Sequence, residues 1–203
     1  MRELLLNGGP ILWLIILLSI AGLAIIIERL LFFRKIRTDE EVIINRLKQT
    51  LEKGHFDEAL SICEANPSPV ANLMRVGIEH REYSQEMIKD MITDAANMEI
   101  PRMERFLSSL GTIAHVSPLL GLLGTVTGNI QAFGVLGSGG IAGGDPAVLA
   151  QGIAEALITT AAGIIVSVPA VAFYNYLVSK VNHSIIRLEN RVSQLVFFLK
   201  GEG

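Results

Sequence analysis

Between Pro146 and Lys180 a single charged side chain, Glu155, interrupts a long run of apolar and small residues. A stretch of this length and character reads as a membrane-spanning helix, because roughly 20 apolar residues at 1.5 Å each cover a hydrocarbon core of roughly 30 Å. Two further runs share the character, from about Pro10 to Phe33 and from about Ser108 to Leu136. The mean hydropathy of +0.47 agrees with a membrane protein. Charged residues make up 18% of the chain, and most of them lie in the block from Arg34 to Arg105. The sequence therefore predicts an all-α integral membrane protein with three transmembrane helices and a helical cytoplasmic domain. The second and third long helices are expected to extend into the cytoplasm.

The expected division is an external N-terminus at 1–9 and transmembrane helices at 10–33, 108–136 and 146–178. A cytoplasmic helical domain occupies 34–107, an external loop 137–145 and a cytoplasmic C-terminal helix 179–203. The first apolar run is too long for a secretory leader, and IIIERLLFFRK follows it in place of a small-residue cleavage site. Orientation follows from the basic residues. The 137–145 loop carries no Lys or Arg, whereas Arg34, Lys35, Arg37, Arg102, Arg105, Lys180 and Arg187 flank the other ends of the spans. The N-terminus is thus expected outside and the C-terminus in the cytoplasm.

In the cytoplasmic block, Thr38 is expected to cap DEEVIINRLKQTLEK, which Gly54 ends. FDEALSICEA reads as a shorter helix that breaks at Asn66-Pro67-Ser68-Pro69. From Ser84 the pattern predicts one long helix into span two, with Pro101 as an irregularity. After span three, Val181, Ile185, Leu188, Val192, Leu195 and Leu199 recur with a 3.5-residue period, which suits a helix–helix seam or an amphipathic helix covering the domain.

The glycines of span two would be poor choices in a soluble helix. In a membrane they let backbones approach closely, and Gly124–Gly128 forms a small-xxx-small pair. Pro118 removes the donor for the carbonyl of Ala114, which a neighbouring helix or water must then satisfy. Asp145-Pro146 reads as a cap and first helical position, which puts Glu155 roughly 14 Å along span three. A carboxylate inside such a span costs roughly 2.5–3.5 kcal/mol on insertion scales. It either handles an ion on a hydrated path or pairs with a neighbouring helix. By the same count Thr125, Glu155 and Thr160 share the middle depth, and threonine hydroxyls can relay a proton or bond their own helix.

The net charge of −3 is too small to suggest a nucleic-acid partner. Cys63 is the only cysteine, and His55, His80, His115 and His183 show no metal-ligand spacing, so no metal and no cofactor are expected. No phosphate loop or nucleophile–base spacing points to an enzyme.

The stretches SPLLGLLGTVTGNIQAF (Ser117–Phe133) and GIAEALITTAAGIIVSVPAVAFYNYL (Gly152–Leu177) closely resemble the ExbB/TolQ family, relatives of the flagellar stator subunit MotA. Span one agrees in type through IIIER (Ile25–Arg29), and three spans favour ExbB/TolQ over MotA. The resemblance implies a bacterial inner-membrane motor or channel subunit that draws on the proton motive force. It implies a homo-oligomer, most simply a pentamer, around a single-span ExbD/TolR-like partner, acting on a TonB/TolA-like protein. The family's pore glutamate falls on Glu155, and its pore threonines fall on Thr125 and Thr160. Two departures add hydroxyls: Thr127 stands where the family's GTVWG has tryptophan, and Thr159 where alanine is usual. Both become possible additional pore-lining residues, and a sodium-driven relative stays open. So does a passive scaffold that anchors a partner through Glu155.

Overall fold

The computed structural model describes residues 9–66, 68–138 and 146–200; the side chains of 37–41, 135–138, 146, 148 and 192–200 are outside that description. The described residues form six helices and no strand: α1 Gly9–Glu52, α2 Phe56–Ala65, α3 Pro69–Glu79, α4 Gln85–Glu104, α5 Leu107–Ser138 and α6 Pro146–Lys200. Three stretches are long and apolar enough to cross a membrane, Gly9–Ile36, Gln85–Gly134 and Leu149–Arg191. The protein is an all-α membrane protein. The 139–145 part of the expected loop, with Asp145 as the expected cap of α6, lies outside the described residues.

Two expectations about helix ends are corrected. Thr38 does not start a new helix, since α1 runs without a break through 38 to Glu52. No proline interrupts Ile11–Lys53, and its one glycine, Gly22, lies well before Thr38, so nothing in the covalent chain stops the helix from propagating through 38. The helix ends where Gly54 takes a positive φ of 74°. The long helix expected from Ser84 into span two is also broken, and not at Pro101, which α4 contains. The break falls at Arg105–Phe106, where Phe106 adopts φ 64°. A non-glycine residue in the left-handed region is uncommon and costs energy, so other contacts must hold the break in place.

The contacts divide the chain into two compact units, one of Met1–Ile27 with Phe106–Tyr176 and one of Glu28–Arg105 with Leu177–Gly203. The first is a three-helix unit built from the apolar parts of α1, α5 and α6. Its second and third members pack backbone to backbone. A Cβ placed on Gly128 would meet the Gly152 carbonyl at 2.7 Å, and one on Gly163 would meet the Ser117 carbonyl at 2.5 Å. Only glycine permits that approach, which brings enough dispersion contact to hold helices together where lipid is as apolar as leucine. Large apolar residues such as Leu119, Leu122, Leu157 and Ile165 point outward and are more than half exposed.

The second unit has an ordinary water-excluding core. Ile43, Leu47 and Leu51 of α1 pack with Ala59, Ile62 and Cys63 of α2 and with Ala71 and Ile78 of α3. Ser68 caps α3 by accepting the Ala71 N–H, and Ser84 caps α4 by accepting the Met87 N–H. Glu99, 4% exposed, accepts from Asn72 Nδ2 and Arg102 Nη1, each at 3.0 Å. Arg29, 2% exposed, donates to the Arg102 carbonyl at 3.0 Å, pairs with Glu28 and stacks 4.5 Å over the Phe32 ring. It thereby satisfies a carbonyl that the end of α4 leaves without a helical donor. This is one contact that fixes the α4 terminus. From the C-terminal seam Val181 and Leu188 are buried, and Ile185 and Leu188 share a small cavity with Ala96 and Ile100 of α4. The side chains of Val192, Leu195 and Leu199 lie outside the described set.

Candidate functional site: a hydroxyl pair and a carboxylate in the membrane unit

The antiparallel pairing of α5 and α6 sets the register of the site. Gly111 meets Tyr174, Ala114 meets Ser167, Gly121 meets Thr160 and Gly128 meets Gly152. The carbonyl that Pro118 deprives of its donor is satisfied from the next helix: Ser167 Oγ donates to the Ala114 carbonyl at 2.7 Å, and both groups are buried. The helical bond lost at Pro118 is thereby compatible with an apolar surrounding, where an unsatisfied carbonyl would cost several kcal/mol.

Two turns further along, Thr125 and Thr160 bring their hydroxyls into hydrogen-bond contact across the α5–α6 seam. Thr160 Oγ1 also donates to the Gly121 carbonyl of the opposite helix at 2.9 Å, while Thr125 Oγ1 lies 3.4 Å from the Ala156 carbonyl. If Thr160 gives its proton to Gly121, its lone pairs accept from Thr125, and the two hydroxyls form a short directional chain. Both side chains are half-buried, so the pair is anchored in the seam and still open on one side.

The other residues occupy different places. Thr159 is 1% exposed, donates to its own helix at the Glu155 and Ala156 carbonyls, both at 3.0 Å, and packs against Gly124 so closely that a Cβ there would overlap its hydroxyl. Thr127 bonds the Leu123 and Gly124 carbonyls at 3.1 and 3.0 Å. It sits two residues, about 200°, round α5 from Thr125. Glu155 is half-buried and lies about 140° round α6 from Thr160. Among the described residues no hydrogen bond joins its carboxylate to any threonine. Its Oε1 instead abuts Gly9, the first residue of α1, where a Cβ would overlap it.

The contact sets Glu155 level with Gly9, the first described residue of α1. Thr160 lies five residues, about one and a half turns, further along α6.

Sequence reasoning did not name Ser167 or Gly9. Reflecting the helices about the 137–145 loop pairs positions summing to 282, which brings Ser167 within one residue of Ala114. Nothing in the sequence alone could have brought α1 to Glu155. Among the described residues no group of three or more His, Cys, Asp and Glu side chains could hold a metal ion.

Known proteins are similar to this chain in sequence. The chain is 32% identical over 188 residues to an ExbB homolog of Methanothermobacter thermautotrophicus, covering 92% of this chain and 66% of that protein. It is 36% identical over 180 residues to an ExbB-like biopolymer transport protein of Synechocystis, covering 86% of this chain and 69% of the relative. A shorter stretch, 43% of the chain, is 46% identical to the Tol-Pal system protein TolQ of Haemophilus influenzae over 38% of that protein. The chain thus spans about two thirds of the length of the first two relatives. The sequence profile of the MotA/TolQ/ExbB proton channel family matches residues 65–190, which takes in α3, α4, α5 and most of α6. The chain belongs to the MotA/TolQ/ExbB proton channel family.

Proposed function

We propose that this protein is an ion-driven, energy-transducing subunit of a bacterial inner membrane. In this reading it assembles as a homo-oligomer, most simply a pentamer, with its N-terminus periplasmic and its C-terminus cytoplasmic. A single-span ExbD/TolR-like protein occupies the axis and passes work to a TonB/TolA-like protein. Proton movement supplies the energy: one charge crossing 100 mV yields about 2.3 kcal/mol, enough to bias a rotor against small barriers.

The observation that carries this reading is the Thr125–Thr160 pair. Two hydroxyls from different helices meet between apolar stretches of α5 and α6, about one and a half turns along α6 from a carboxylate. Glu155 takes up an ion, and the hydroxyl pair receives it. Small residues on the open side of α6, Ala154, Ala161 and Ala162, offer little steric resistance to a partner helix that slides or turns. Thr159 and Thr127, each bonded to its own helix, contribute packing first and lining second.

The test is proton uptake into liposomes holding the full chain with its single-span partner, read by an interior pH dye under an imposed gradient. Glu155→Gln should lose uptake while keeping the parent's oligomer size, since glutamine cannot take up and release a proton. Uptake by Glu155→Gln at the parent rate would leave a passive scaffold as the better reading. Dependence on sodium with no pH change would replace the proton by sodium.

A further inference from the structure

Nothing in the covalent chain asks for a break between α4 and α5. Arg102–Leu110 holds no proline and no glycine, and RMERFL, its opening stretch, is made of fair to good helix formers. The backbone turns there nonetheless. Arg105 has φ −49° and ψ 132°, and Phe106 has φ 64°, which are close to the angles of the two central residues of a type II turn. The second of those positions calls for glycine, because a Cβ is strained at positive φ. Phe106 fills it with a side chain that stays 41% exposed, so the ring is not anchored in a core.

One guanidinium compensates the turn. In a continuous helix the Arg102 carbonyl would accept the Phe106 N–H and the Met103 carbonyl the Leu107 N–H, each four residues on. With ψ of Arg105 at 132° in place of about −42°, the chain leaves the helical path and takes both donors away. Arg29 Nη1 stands in their place, 3.0 Å from the Arg102 carbonyl and 3.5 Å from that of Met103. Nε and Nη2 of the same side chain both donate to the Glu28 carboxylate, which fixes the fork and aims Nη1 at α4. Arg29 is buried and stacked on the Phe32 ring, so its position is set from three sides. The two carbonyls thus have two alternative sets of donors, Arg29 when the backbone is bent and the 106 and 107 N–H groups when it is straight. Backbone strain persists only where surrounding groups over-determine it, and it gathers in segments that switch.

We propose that the α4–α5 junction is a two-state helix switch and that the Glu28–Arg29 pair is the latch of its bent state. When Arg29 is withdrawn, Arg102–Leu107 closes into continuous helix. The ψ of Arg105 then passes from 132° to about −42°, and the φ of Phe106 from 64° to about −63°. Only hydrogen bonds are exchanged. Two carbonyls trade one shared guanidinium for two backbone donors, and the left-handed strain at Phe106 is relieved. Arg29 acts through the backbone and is a positioning residue. The handle of the latch is Glu28, whose side chain is 46% exposed while that of Arg29 is 2% exposed. The switch operates whether or not the protein moves an ion, and the helix that starts at it is the one that bears Thr125.

The test uses a feature of the sequence. Arg105–Phe106 is the sole Arg–Phe step in the chain, so carbonyl-13C arginine with 15N phenylalanine gives a single directly bonded carbon–nitrogen pair. Its carbonyl shift reads the ψ of Arg105 in the full chain, held in nanodiscs of phosphatidylethanolamine and phosphatidylglycerol. The parent should show the extended value. Arg29→Met should move the signal to the helical value. Glu28→Gln, which loosens the latch and leaves the buried arginine in place, should add a helical signal beside the extended one. Adding Phe106→Gly to Arg29→Met should restore the extended value, because glycine takes positive φ without strain and weakens a helix. That double variant is read with 15N glycine, since the chain has no other Arg–Gly step. A merely structural arginine would lower the melting temperature without producing a helical signal or its reversal by glycine. A helical signal in the parent overturns the proposal, and so does an extended signal that persists in both Arg29→Met and Glu28→Gln. If Arg29→Met does not fold, an extended signal alone in Glu28→Gln overturns it.

Discussion

The two units of this protein are held together by opposite means. In the charged unit, Leu47, Ile78, Ile88 and Ile92 are completely buried, and Ser68 and Ser84 cap their helices as in a water-soluble domain. In the membrane unit the large apolar residues face outward, and the interior is lined by Gly121, Gly124, Gly128, Gly163, Ser117, Thr159 and Ser167. The hydrophobic effect drives the first arrangement. It cannot drive the second, where cohesion comes from close approach of backbones and from hydroxyl–carbonyl bonds between helices.

Substitutions can break this contrast. The largest effect is expected in the charged unit. Leu47→Ala removes a fully buried side chain and should cost about 3–4 kcal/mol, read as the loss of cooperative thermal unfolding at its usual temperature. The same change at Leu157, exposed in the membrane unit, should leave the melting of the single chain nearly unaltered. A comparable loss at both sites would show that the two units share one kind of core.

Small-to-large changes reverse the ranking. Gly163→Ala sets a methyl 2.5 Å from the Ser117 carbonyl and should cost about 2 kcal/mol, whereas Gly134→Ala meets nothing within 4 Å and should be neutral or better. Detergent-melting curves of the two variants decide this. Next comes the inter-helix bond. Ser167→Ala strands the Ala114 carbonyl and should cost about 1–2 kcal/mol, and Ser167→Thr should recover most of it.

The contrast also explains what could be read from the sequence. FDEALSICEA coincides with α2, and Gly54 and Ser84 fall at a helix end and a helix start, because caps and turn residues act locally. The three apolar runs and their all-α class were legible for the same reason. The break at Arg105–Phe106 was not, since no Gly or Pro marks it and a distant residue, Arg29, bonds the carbonyls beside it. At the site, helical periodicity puts Thr159, four residues on, on the face of Glu155, and Thr160 off it. That is geometrically right, yet the Thr125 partner is Thr160, because the helix seam and not the carboxylate defines the side on which the hydroxyls meet.

The smallest effect concerns pH. Burial pushes the Cys63 thiol up to about 11. The folded chain therefore keeps its proton where the unfolded chain, with a thiol near 8.5, has lost it. The stabilisation is whole below about pH 8.5 and declines between there and about pH 11. Cys63→Ser should flatten that alkaline decline, and iodoacetamide should label native Cys63 slowly at neutral pH. Fast labelling in the folded protein would mean that the core of the charged unit opens readily.

The central claim is that the hydroxyls of one helix have divided duties, Thr160 for the ion and Thr159 for the packing. Replacing each by valine, which keeps the shape and removes the hydroxyl, tests it in a single experiment that reads proton uptake and melting temperature side by side. The account predicts that Thr160→Val loses most of its uptake with little change in melting, and that Thr159→Val melts lower while conducting normally per assembled oligomer. If Thr159→Val stops uptake and Thr160→Val conducts like the parent, the seam pair is not on the ion path and the account is contradicted.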